Sequence, residues 1–220
     1  MLPSLQFLYI AGYDFLHQRL YHLMMEDHRA QWLLFLTQPY PDRDIIRMRM
    51  RAMQKERMNI HELVLQKISD LTGLERNSSI IQVYGVGCAV YYNGMGNPLS
   101  ISMHYEGVCM KVRILIHELI HNIEKDGINK ERVTPYKRWI KEEYPDQKAD
   151  FRNHVIVYAV WIEIMKELGR DEQILKKQES LKEQSLKDAR ALVQSQWTQK
   201  TISIYQSFLK DHTKNPTDTQ

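Results

Sequence analysis

Apolar residues recur at helical spacing through most of the chain and at strand spacing only in its middle. From Ser4 to Thr37, Leu5, Leu8, Tyr9, Phe15, Leu20, Leu23 and Met24 mark one apolar face, with Trp32, Leu33, Leu34 and Phe35 following. This predicts one or two helices, broken at Gly12 or near Asp27 and ended by Pro39 and Pro41. A second helix is expected from Ile45 to Arg57, where Met48, Met50, Met53 and the following Met58 read as core filler. Asn59 and Glu62 have the form of a capping box for a helix that runs to about Leu71 and stops at Gly73.

The middle of the chain changes period. Segments from Ser79 to Tyr84, Cys88 to Tyr92 and Leu99 to His104 are short and rich in β-branched or aromatic residues, and the last two are separated by Asn93-Gly94 and Gly96-Asn97-Pro98. They predict a small sheet. Helices return from Met110 to Lys125, from Pro135 to Glu143, and from Asp150 to Leu168 with Gly169 just beyond. The stretch from Asp171 to about Leu209 is helical in pattern but polar, and the final residues are expected to fray.

Composition narrows the classes. A 43% hydrophobic share in 220 residues supplies a core, and the +3 formal charge comes from interspersed Lys, Arg, Asp and Glu. Neither a nucleic-acid nor a membrane-surface partner follows from such a balance. The two cysteines, Cys88 and Cys109, form no Cys-x-x-Cys pair and read as reduced thiols. The opening residues lack a basic leader and a long apolar run, so the expected location is cytoplasmic.

One segment carries chemistry. His117-Glu118-Leu119-Ile120-His121 places two imidazoles four residues apart, hence on one face of a helix and one turn apart, where both reach a single ion. Glu118 beside the first of them is angled toward a water on that ion rather than toward the ion. Random placement gives this pattern in about one chain in forty of this composition, so the surroundings decide its weight. Ile114, Leu115, Ile116, Leu119, Ile120 and Ile123 make the helix apolar, and Glu118 is the one charge between Arg113 and Glu124. Polar groups buried in such a helix need partners, and a Zn2+ ion supplies one. His17, His22, His28 and His61 lack ligand spacing on a helix.

With His117, Glu118 and His121, the chain resembles the zincin metallopeptidases. Ala89, Tyr91 or Tyr92, Asn93 and Gly94, followed by Leu99 to Gly107, resemble the paired strands of the gluzincin branch. The likeness spans about Ile80 to Leu168. It implies that Cys88 to Tyr92 is the strand along which an extended peptide lies. It also implies a third metal ligand on a later helix, where the family carries Glu and this chain reads Asn153-His154. His154 is therefore the leading third ligand, with Glu163 and His104 as alternatives. Metzincin spacing is absent, because no His follows His121 within six residues. For an oxyanion donor, Tyr158 is one turn beyond His154, and Tyr205 and His212 are further options.

The expectation is a mostly helical α+β fold with a three- to four-stranded mixed sheet beside the metal helix. Its parts would be an N-terminal helical region (1–76), a metal-binding core (77–169) and a C-terminal helical extension (170–220). The expected activity is zinc-dependent hydrolysis of a peptide or protein substrate, with Glu118 and Tyr158 catalytic and His117, His121 and His154 on the metal. The competing readings are a zinc-site protein without hydrolysis and a helical interaction or regulatory module.

Overall fold

A computed structural model of the chain describes residues 3–26, 40–57, 60–75, 79–87, 94–96, 98–103, 108–170, 184–195 and 198–210. The fold is α+β: eight helices and a four-stranded mixed sheet among the described residues. The chain divides into two compact units, Met1–Leu63 with Ser78–Asn122, and Val64–Asn77 with Ile123–Gln220.

The first unit holds the sheet. Its strands are β1 (Ser4–Leu8), β2 (Ile80–Val86), β3 (Gly94–Gly96) and β4 (Leu99–Ser102), in the order β1-β2-β4-β3. β2 buries Ile81 and Val83 and turns Ile80 and Gln82 outward, the alternation of a pleated strand. β4 is buried on both faces, as a central strand must be. It pairs parallel with β2 and antiparallel with β3, Gly96 standing opposite Leu99.

β1 corrects the sequence reading, which placed Ser4–Leu8 in a helix. These residues pair parallel with β2, Leu5 opposite Ile81, and Ser4 N donates to Ser79 O at 2.8 Å. Five residues carry too few apolar positions to separate the two periods, and the partner strand is more than seventy residues away. Helix α1 (Ala11–Glu26) begins only after that strand, and α2 (Arg43–Arg57) follows. Both lie against β2. Gly85 of β2 makes room for the Met50 side chain, since a Cβ there would fall on its sulfur. Met50 and Met53 are core residues as expected, but Met48 is exposed. Met58, the Asn59 cap and the strand expected from Cys88 to Tyr92 lie outside the described residues.

The second unit is helical, with most of α3 (His61–Thr72), then α5 (Gly127–Glu143), α6 (Ala149–Glu167), α7 (Gln184–Ser195) and α8 (Thr198–Lys210). α6 is its axis: Val155 to Ile162 are all buried, and α5, α7 and α8 pack on it. Its end is a Schellman turn, with Gly169 at φ 64° and Arg170 N donating to Met165 O at 2.9 Å. α3 stops at Gly73, φ 66°. α5 starts eight residues before the expected Pro135 and carries that proline in its interior. Asn129, Val133, Tyr136 and Ile140 form a buried stripe at helical spacing across it, and this packing outweighs the roughly 3 kcal/mol that an interior proline costs. No described helix is long and apolar enough to cross a membrane.

Candidate metal centre

Helix α4 (Val108–Glu124) carries the His-Glu-x-x-His segment. Val112, Leu115, Ile116, Leu119 and Ile120 are each at most 2% exposed, and even Lys111 is buried, so the helix is enclosed on nearly every side. Enclosure fixes the backbone from which the polar groups project, a rigid support for ligands. His117 and Glu118 are buried and His121 is half-buried. The two imidazoles stand one turn apart, ring centroids 5.0 Å, planes at 76°.

β3 sets how α4 sits against the sheet. A Cβ at Gly96 would stand 2.7 Å from His121 Cβ, 3.2 Å from Glu118 O and 3.3 Å from Asn122 N. Asn122 Nδ2 donates to Gly96 O. The strand and the helix thus touch backbone to backbone at the turn that bears Glu118 and His121. Neither Gly96 nor Asn122 figures in the sequence reading as a site residue. The available signal is a glycine in a short strand just ahead of a motif helix, the mark of close backbone approach.

His154 lies on the second turn of α6 and is half-buried. Its Nδ1 sits 2.7 Å from Asp150 O, one turn back. A carbonyl only accepts, so Nδ1 carries a proton, and the neutral ring then has its lone pair on Nε2, the tautomer in which an imidazole ligates a metal. The sequence reading assigns three imidazoles to the metal, His117 and His121 of the first unit and His154 of the second. Three neutral imidazoles are a donor set that Zn2+ accepts while leaving a fourth position open.

The alternatives fare differently. Glu163, nine residues beyond His154 on α6, accepts hydrogen bonds from Thr198 Oγ1, Gln199 Nε2 at 2.6 Å and Lys166 Nζ at 3.0 Å. Burial alone would raise its pKa, but those donors and the Lys166 charge outweigh it and hold the carboxyl below its ordinary value. Glu163 is a fastener between α6 and α8. His104 and His212 lie outside the described residues. Tyr158 is 1% exposed, with its ring centroid 5.6 Å from that of His154. Tyr205, another candidate oxyanion donor, gives its hydroxyl proton to buried Glu124 at 3.1 Å.

No family model, curated protein or solved structure matches this chain, so the reading of the site rests on its own residues.

Proposed function

We propose that this chain is a zinc-dependent peptidase in which His117, His121 and His154 hold the metal and Glu118 is the general base. The observation that carries the reading is the pair of imidazoles one turn apart on the buried helix α4, ring centroids 5.0 Å, with a buried carboxylate directly after the first of them. A merely structural site has no use for that carboxylate. Zinc bound there supplies a Lewis acid that polarises a peptide carbonyl and brings the pKa of a water toward about 7.

The rest is work for the chain's own groups. Glu118 takes a proton from the attacking water and returns it to the departing amide nitrogen, so its carboxylate ends as it began. The Asp150 carbonyl keeps the His154 proton on Nδ1, which directs Nε2 to the metal. Tyr158, on the same helix one turn further, is the proposed donor to the developing oxyanion. Among the described strands β3 is an outer one, and an extended peptide that adds to such an edge pairs its backbone in register. The substrate is accordingly a peptide or an unfolded protein segment.

The test is hydrolysis of casein and of a peptide library by zinc-loaded protein, beside Glu118→Gln loaded equally. The proposal expects equal metal in both and a rate lower by about 10²–10⁴ in the variant. Equal, negligible rates at full zinc occupancy would leave a zinc-binding module without hydrolysis.

A further inference from the structure

Charge is not spread evenly over the chain. Helix α2 sets Arg43, Arg47, Arg49, Arg51, Lys55 and Arg57 against Asp44 and Glu56, six basic residues to two acidic ones and a net +4. The whole chain carries +3, which leaves −1 for everything outside this one helix. A near-balanced total therefore hides a strongly basic element.

The two sides of α2 have different tasks. Ile46, Met50 and Met53 are buried, and the helix lies against β2. On the other side Ile45, Met48, Arg51, Ala52 and Lys55 recur at intervals of three and four, and all are exposed. Met48 is 60% exposed. Asp44 shares that stripe and pairs with Arg47 at 3.6 Å, and Arg47 also stands over the Tyr9 ring at 5.1 Å. Arg49 is turned to the sheet, donating to Met103 O at 2.7 Å. Helix α1 repeats the outward pattern. Gly12, Phe15, Leu16 and Arg19 are exposed, Phe15 by 51% and Leu16 by 58%, while Asp14 and His17 are buried. Phe15 and Ile45 border one depression between α1 and the start of α2. The first unit thus presents adjoining stripes of one composition, large apolar side chains followed by cations.

Exposed apolar residues scattered singly need no explanation, but a group of them rimmed by charge marks an interaction surface. The phosphates of a nucleic acid would satisfy the cations and leave Phe15, Leu16, Ile45 and Met48 in water. An apolar protein groove would do the reverse. A bilayer with anionic headgroups answers both, because apolar side chains enter the acyl boundary while Lys and Arg meet the headgroups. We propose that the outer face of α1 and α2 docks on an anionic membrane surface. The contact is peripheral, since no described helix is long and apolar enough to cross a membrane. It needs no metal and stands independently of the peptidase reading.

The test is co-sedimentation of the full chain with vesicles of phosphatidylcholine, and of phosphatidylcholine with about a quarter phosphatidylserine. Binding only to the anionic vesicles is expected, and it should weaken as salt screens the cations. Arg51→Gln combined with Lys55→Gln should weaken partitioning by about thirtyfold, roughly fivefold for each cation. Leu16→Gln combined with Met48→Gln should weaken it by about tenfold or more, since each side chain is already half in contact with the protein and gives up only part of its transfer energy. All four positions are exposed, so both variants should keep the wild-type denaturation midpoint, which separates lost binding from lost folding. His117→Ala should bind as the wild type does. No binding to anionic vesicles, equal binding to neutral ones, or wild-type binding after either pair of substitutions would overturn the assignment. Equal affinity for a DNA duplex would also overturn it, because the surface would then be a general polyanion site.

Discussion

Replacing Gly96 by alanine tests the contact that holds the metal helix to the sheet. The backbone of Gly96 is outside the left-handed region, so alanine meets no conformational penalty there and the cost is steric. The new methyl group would lie 2.7 Å from His121 Cβ, where carbon atoms rest at about 3.5–4.0 Å. The other two neighbours, Glu118 O at 3.2 Å and Asn122 N at 3.3 Å, are backbone atoms of a buried helix, so no side-chain rotation relieves the clash. β3 and α4 must separate by the better part of an ångström. Overpacking of this kind costs about 1–3 kcal/mol, enough to lower the folded-to-unfolded ratio by about five- to 150-fold. The movement is centred on His121, so the variant should also hold metal more weakly, whereas a comparable loss at a remote site should not touch the metal. The assay is urea denaturation of the metal-free protein, read as a lower midpoint at unchanged slope, with metal affinity measured in parallel. Wild-type stability and wild-type affinity together would refute the packing of β3 on α4.

Two carboxylates should give the stability of the fold opposite dependences on pH. Burial holds Glu124 above its ordinary value of 4.5, against the lowering influence of Lys137, Tyr205 and Lys125. As pH rises above about 4.5 the unfolded chain loses that proton while the folded one keeps it, so stability falls until the folded group ionises in turn. Glu124→Gln should abolish this decline in denaturation midpoints taken across the range. Glu163 is held low by Thr198, Lys166 and Gln199 despite its burial, so its stabilisation is present above about 4.5 and disappears as pH falls through its folded value. Glu163→Gln should flatten that acid limb, and an unaltered limb would count against the fastening role. At the end of α6, Gly169→Ala forces a Cβ into a residue at φ 64°, which should cost about 1 kcal/mol and lower the melting temperature by about 2–4 °C. An unchanged melting temperature would mean that the Schellman turn does not hold in solution.

What the sequence discloses here is what short windows can hold. The period of α4 and the four-residue interval between His117 and His121 lie within one segment, so helix and ligand spacing are both readable. Gly73 and Gly169 mark helix ends because a positive φ is a local demand met by one residue type. β2 is legible from its run of β-branched and aromatic residues. β1 is not, because Ser4–Leu8 becomes a strand through a partner far along the chain. The early start of α5 is also hidden, since Pro135 reads locally as a boundary and only the buried stripe from Asn129 to Ile140 shows why the helix passes through it. Within the candidate site, spacing yields the pair on α4 and nothing more. His154 is 33 residues past His121 and is reached only through the Asn153-His154 resemblance. The Asp150 carbonyl that fixes its tautomer and the Gly96 approach to His121 belong to tertiary structure alone.

The most direct test of the account is the metal content of protein purified without added metal, for the wild type, His154→Ala and Glu163→Ala. The account predicts about one zinc per chain in the wild type, as a three-histidine site requires. It predicts loss of that zinc in His154→Ala and its retention in Glu163→Ala. Zinc retained without His154, or no zinc in the wild type even after reloading, would contradict it.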